Sequence, residues 1–277
     1  MLRKLLKYDI KAIWKIWVWL AVAAVLISVM GGLCMRFLVD TAEEASAFII
    51  LKIIAIFGVL ACYLTIAALL FVTAILVYWR FYKNFFSDEG YLTFTLPVSR
   101  AQLLLSKTLN AAIWMVASGA VITLCFAEVI LIVDPVIFAD LFQGIGWLLR
   151  QDGAWVLLMY LPQLLLLGIA SLWFNISLIQ LCITIGSVIA KKHKILASIG
   201  VYYLVNMVLG FAGQLITIVG VFTAVGSIES VLSKISSFEA PFFLGLVLLV
   251  ATVIVASAAY LLHIITLDKL ERRLNLA

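Results

Sequence analysis

Residues 53–79 read IIAIFGVLACYLTIAALLFVTAILVYW, an uncharged run bounded by Lys52 and Arg80. A helix rises 1.5 Å per residue, so about 20 apolar residues cross the ~30 Å hydrocarbon layer of a bilayer. This run is long enough to cross with residues to spare. Five more segments qualify, at 16–35, 108–133, 154–190, 195–225 and 241–267. Lipid offers no partner for backbone amides, so each segment must satisfy its own as a helix. The expectation is an all-α, polytopic integral membrane protein with six transmembrane helices. The segments at 53–79, 154–190 and 195–225 exceed the minimum and must tilt, kink or protrude. Pro162 is the expected kink in the fourth, because its ring displaces the preceding turn.

Composition agrees. The chain is 66% hydrophobic and 12% charged, against about 45–50% and about 25% for a soluble domain. No stretch is polar enough to make a soluble domain, so residues 1–277 read as a single transmembrane domain. The net charge of +5 does not imply nucleic acid. The basic residues sit in short clusters between apolar runs, not on a continuous basic face. Cys34, Cys62, Cys125 and Cys182 all fall within apolar runs and lack metal-ligand spacing, so they read as small hydrophobes. The first apolar run is too long for a signal peptide, and no small-x-small cleavage site follows it. Leu33 before Cys34 fits a lipoprotein cleavage site poorly.

Lysine and arginine sort the loops. Arg3, Lys4, Lys7, Lys11, Lys15, Arg80, Lys83, Arg100, Lys107, Lys191, Lys192, Lys194, Lys269, Arg272 and Arg273 fall on one side of a six-span topology. Arg36, Lys52, Arg150 and Lys234 fall on the other. Cytoplasmic loops carry the positive excess, so both termini are expected inside. A missed or invented span would scramble this split.

Two segments read as lying on the membrane. In residues 1–15, Leu2, Leu5, Leu6, Ile10 and Ile13 share one helical face and Lys4, Lys7, Lys11 and Lys15 another. This describes an in-plane amphipathic helix, with a plain basic flank of the first span as the alternative. In the outer loop Pro135–Arg150, Ile137, Phe138, Leu141, Phe142, Ile145 and Leu148 oppose Asp140 and Gln143. That loop reads as an outer-leaflet helix, or as a cap over a substrate route. The Ser-rich loop at 226–240 carries little information.

The loop between the second and third spans carries the functional signal. Residues 80–107 read RFYKNFFSDEGYLTFTLPVSRAQLLLSK. Phe81, Tyr82, Phe85, Phe86, Tyr91 and Phe94 are costly to expose, and exposed apolar clusters mark partner surfaces. Pro97 disfavours continued helix before it. Ser99 and Gln102 form a capping box that starts a new helix at Arg100. A short helix ending near Leu96 therefore lies between two long ones, within a coupling segment at 83–100. Such a helix either docks on a soluble partner and levers both spans, or packs only on its own chain.

Residues 88–107 resemble the coupling segment of bacterial ATP-binding-cassette (ABC) exporter permeases of the ABC-type-2 membrane group. The opening LLKYDIK at 5–11 is similar to the start of those permeases, and the six-span layout agrees over nearly the whole chain. The resemblance implies a permease subunit in the bacterial inner membrane, moving a substrate outward on ATP hydrolysed by a separate subunit. It implies docking of that ATPase on Asp88, Glu89, Gly90, Tyr91, Leu92, Thr93, Phe94, Leu96, Pro97, Ser99 and Arg100. Lys191, Lys192, His193 and Lys194 would be a second contact, or simply a topology anchor. It further implies two ATPase copies, a second permease subunit (identical or homologous), and ATP and Mg only in the partner. The chain has no Gly-x4-Gly-Lys-Ser/Thr loop to cradle phosphate.

Inside the spans, Glu128 is the acid deepest in an apolar run. Charge there costs about 2.5–3.5 kcal/mol at mid-bilayer and less near the edge. It reads as a substrate or gating contact, or as a residue at the lipid boundary. Gly168, Ser171, Asn175, Cys182 and Gly186 form one stripe of small and polar residues. Asn206, Gly210, Gly213, Thr217 and Gly220 form another. These read as helix–helix seams, with Asn175, Gln180 and Asn206 on a translocation path as the minority reading. His193 and His263 have no evident zinc or catalytic partner. An ion-coupled secondary transporter is the alternative function, but it needs midplane ionisable groups and often an inverted repeat. An intramembrane enzyme is disfavoured by the lack of His-Glu-x-x-His or paired intramembrane aspartates.

Overall fold

The computed structural model describes residues 2–42, 49–87, 89–95, 97–150, 154–190, 192–232 and 239–272. In chain order the helices are α1 (Leu2–Asp40), α2 (Ile49–Phe86), α3 (Glu89–Phe94), α4 (Arg100–Val133), α5 (Pro135–Arg150), α6 (Ala154–Ile189), α7 (Lys194–Leu232) and α8 (Glu239–Arg272). Among the described residues there is no strand. Six helices are long and apolar enough to cross a bilayer, namely α1, α2, α4, α6, α7 and α8. The protein reads as a multi-pass membrane protein, and its described residues are nearly all helical.

The local punctuation reads correctly in several places. Helix α4 starts at Arg100, directly after Ser99. The amphipathic stretch after the third long run is the helix α5 over Pro135–Arg150, and the Asp134 Oδ1 carboxylate accepts the Val136 backbone N–H at 2.9 Å as its cap. Helix α6 continues through Pro162. The N-terminus differs from the expectation of a separate piece. Residues 2–15 and the first span form one unbroken helix, because no proline interrupts 2–40 and the lysines there are good helix formers. At 1.5 Å per residue α1 is about 58 Å long, nearly twice the hydrocarbon thickness.

The chain divides into two compact units. One comprises Met1–Phe81 with Gln102–Asp152, the other Tyr82–Ala101 with Gly153–Ala277. In the first, α1 buries a stripe at Asp9, Ile13, Trp17, Ala21, Ala24, Ser28 and Gly31, spaced three or four apart as one helical face requires. Helices α1 and α2 approach through reciprocal glycine–cysteine contacts. A Cβ on Gly31 would overlap Cys62, and one on Gly58 would lie 2.6 Å from Cys34 Sγ. Small residues permit this closeness, which is how apolar helices gain packing in lipid. All four cysteines are free thiols, and Cys62 and Cys125 sit in a core with Ala24, Ile66 and Leu69.

A polar relay crosses that apolar core. Trp17 Nε1–H donates to Ser118 Oγ at 2.9 Å. Ser118 donates to Thr73 Oγ1 at 3.0 Å, and Thr73 to the Leu69 carbonyl at 2.6 Å. Each hydroxyl donates once, so α1, α4 and α2 are joined without an orphaned proton. Trp114 packs on Trp17 at 4.9 Å beside it.

In the second unit α6 packs against both α7 and α8. Gly186 lies so close to the Ser198 backbone that any Cβ would overlap it. Ser198 Oγ donates to the Lys194 carbonyl at 2.8 Å, tightening the start of α7. Trp155 meets Phe242, and Trp173 meets His263.

The close crossing of α1 and α2 gives a direct test. Gly31→Val should destabilise the protein by roughly 1–3 kcal/mol through overpacking. Gly119→Ala, where a new Cβ meets nothing within 4 Å, should be neutral or stabilise by up to about 1 kcal/mol. Reversible unfolding in bicelles measures both.

Candidate functional site

The loop flagged in the sequence separates into a buried base and an exposed tip. Val77, Phe81 and Phe85 recur every four residues on α2, and all three are buried. Phe86 is buried as well. The chain then turns, with Ser87 Oγ donating to the Lys83 carbonyl at 2.6 Å and the Gly90 N–H donating to the Ser87 carbonyl at 2.8 Å. Gly90 is buried because α3 folds back onto the end of α2. A Cβ there would lie 2.9 Å from the Phe85 carbonyl oxygen, so this position needs glycine for the approach.

Phe94 completes the base. Its ring stands edge-on to Phe85 at 5.7 Å, and the Arg100 guanidinium lies 5.5 Å from its centroid. The same guanidinium donates to the carbonyls of Leu270 at 2.8 Å and Glu271 at 2.9 Å. Those carbonyls close the last turn of α8, where a cation is favoured by the helix dipole. Lys194 Nζ lies 3.4 Å from the Phe86 carbonyl, near the end of α2. Lys83 pairs with Glu89 at 2.7 Å across the turn, but both are half exposed and such a pair contributes little.

Two large apolar side chains remain outward among polar ones. Tyr91 is 66% exposed and Leu92 68% exposed. Pro97 and Ser99 are exposed, and Thr93 is half buried with its hydroxyl bonded to the Glu89 carbonyl. Asp88, Leu96 and Lys191 of the expected contacts lie outside the described residues. Lys192 and His193 are exposed. The expected docking set thus sorts by geometry. Gly90, Phe94 and Arg100 are engaged within the chain, whereas Tyr91 and Leu92 face outward.

A charged cluster not singled out in the sequence lies in the first unit. Asp9, 4% exposed, accepts from Lys107 Nζ at 2.7 and 2.8 Å through its two oxygens, and from Arg80 Nε at 3.1 Å. Lys107 is buried and the Arg80 side chain is one-third exposed. The signal was present in principle. Asp9 is the lone acid among the basic residues 3–15, and it falls in register with Ile13 and Trp17 on the buried stripe.

The polar residues of the spans scatter. Glu128 Oε2 accepts from Ser28 Oγ at 2.7 Å, joining α4 to α1. Gln180 is buried. Asn175 and Asn206 are exposed, each donating its amide to a carbonyl one turn back on its own helix. Gly186 of the α6 stripe marks a true helix seam, whereas a Cβ at Gly168 or Gly210 meets nothing within 4 Å. Among the described residues no three His, Cys, Asp or Glu side chains group to hold a metal. Comparison of the chain with protein-family models, curated proteins and solved structures returns no match.

The division between base and tip predicts opposite responses to one substitution. Phe94→Asp should destabilise the protein by about 1–2 kcal/mol, because it removes the half-buried ring that packs on Phe85 and under Arg100. Tyr91→Asp should stay within about 0.5 kcal/mol of wild type. Thermal unfolding in detergent separates the two.

Proposed function

We propose that the chain is the membrane permease subunit of an ATP-driven ABC exporter, with both termini in the cytoplasm of a bacterial inner membrane. The observation that carries this reading is α3, a short helix lying in the chain between two membrane-length helices, with Tyr91 and Leu92 turned outward. Burying a Leu or Tyr side chain is worth roughly 1.5–3 kcal/mol, so a tip formed by Tyr91 and Leu92 favours a groove on a soluble partner.

The charge asymmetry supports the orientation. Asp9, Arg80 and Lys107 meet within one unit, and Phe86, Lys194, Arg100 and Leu270 meet within the other. These residues lie in or beside the lysine- and arginine-rich segments, the sign of a cytoplasmic face. Residues 2–15 extend α1 on that side and present Lys4, Lys7, Lys11 and Lys15 to the anionic inner leaflet. Helix α5, nearly all exposed, suits the outer leaflet surface.

On this reading the ATPase lies in a separate chain, in two copies, bearing ATP and Mg. Its closure pushes on Tyr91 and Leu92, and α2 and α4 carry the push into the bilayer. A second permease subunit completes the path. The open faces of α6 and α7 at Gly168, Asn175, Asn206 and Gly210 suit that role, because small and amide side chains let helices meet in lipid. An ion-coupled transporter has less support, since Glu128 is already bonded to Ser28.

A photo-crosslinking side chain at Tyr91 tests this. The expected adduct is a protein that carries a Gly-x4-Gly-Lys-Ser/Thr loop and hydrolyses ATP. Its co-purification should fall at least about tenfold, some 1.4 kcal/mol, in the Tyr91→Asp, Leu92→Asp double variant. An adduct without that loop, or undiminished co-purification, removes the docking assignment.

A further inference from the structure

We propose that Asp9 is a positioning residue that clamps the two arms of the coupling segment and ties α1 to them as a third lever. Arg80 lies about two turns before the end of α2 at Phe86, and Lys107 about two turns after the start of α4 at Arg100. The segment between them therefore hangs from two helical arms of nearly equal length. At the root of both arms stands one carboxylate, contributed by α1.

The geometry suits a clamp better than a chance surface pair. Asp9 is almost fully buried and uses both oxygens on Lys107, with one shared by Arg80. Charged hydrogen bonds of this length are roughly twice as strong as neutral ones. Removing the shared carboxylate leaves both cations without their anion, so loss of Asp9 breaks the whole cluster, whereas loss of Arg80 breaks one arm of it. Two cations also share one anion. If Asp9 is lost, Arg80 and Lys107 are left to repel each other, and the arms separate.

Below the clamp, α2 and α4 each run on as unbroken helix into the 82–101 segment. A displacement of that segment is therefore passed to α1 through Asp9, as well as to its own two spans. The purpose of the clamp rests on the docking reading above, but the clamp itself does not.

Amide hydrogen exchange of the purified chain in nanodiscs, with no ATPase present, tests it. Asp9→Asn is expected to raise exchange across residues 82–101 by about tenfold, leaving α6 amides at 170–187 unchanged. Arg80→Gln keeps the Asp9–Lys107 pair and folds safely, its side chain being partly exposed, so a smaller rise confined to 82–87 is expected. Asp9→Glu keeps one anion between the two cations and should retain most of the protection. Wild-type exchange over 82–101 in Asp9→Asn and Arg80→Gln overturns the clamp. So does an equal rise over 170–187, which would make Asp9 a general stabiliser, or exchange over 82–101 in Asp9→Glu as fast as in Asp9→Asn. Because no partner is present, these outcomes leave the ATPase assignment to stand or fall on the Tyr91 crosslink.

Discussion

A single buried carboxylate, Asp9, is the constraint around which the membrane-proximal structure is arranged. Burying an ion costs several kcal/mol even in a relaxed protein. That cost is tolerable only because Lys107 and Arg80 converge on it. The convergence fixes the register of α1 against both α2 and α4. From there the buried stripe of α1 continues through Trp17, which donates to Ser118 on α4, and Ser28, which donates to Glu128. The ion cluster, the hydroxyl relay and the Ser28–Glu128 bond form three polar rungs along one helix. Between them only apolar or small side chains make contact. Lipid gives helices no hydrophobic reason to associate, so rungs of this kind decide which faces meet.

Much of the architecture was legible because it is local. An apolar run of spanning length can only be a helix in lipid, and six such runs appear among the described residues as six long helices. Ser99 followed by Gln102 marks the first turn of α4, and the spacing of Ile137, Leu141 and Ile145 marks α5. The illegible parts depend on contacts far apart in sequence. Asp9 meets Lys107 ninety-eight positions away, and no local rule pairs them. The continuity of α1 was hidden for another reason. A change from basic amphipathic to wholly apolar sequence resembles a boundary, yet nothing in it breaks a helix.

The candidate site was half legible. Aromatic density at 81–94 pointed to the segment, but density alone does not distinguish a base from a tip. Phe81 and Phe85 continue the four-residue spacing of Val77 and are buried, which in retrospect assigns them to the interior. Gly90 and Arg100 seemed part of an outward surface. The structure uses Gly90 for a close backbone approach and Arg100 to cap α8. The large apolar side chains of the segment left exposed are Tyr91 and Leu92.

The central claim is that the Tyr91–Leu92 tip faces the cytoplasm. With the four native cysteines replaced by alanine, single cysteines at Tyr91 and at Trp147 can be labelled with a membrane-impermeant maleimide. The account predicts that Tyr91→Cys reacts in inside-out vesicles and not in spheroplasts, whereas Trp147→Cys on α5 does the reverse. Labelling of Tyr91→Cys from the outside of spheroplasts, with Trp147→Cys protected there, would contradict it.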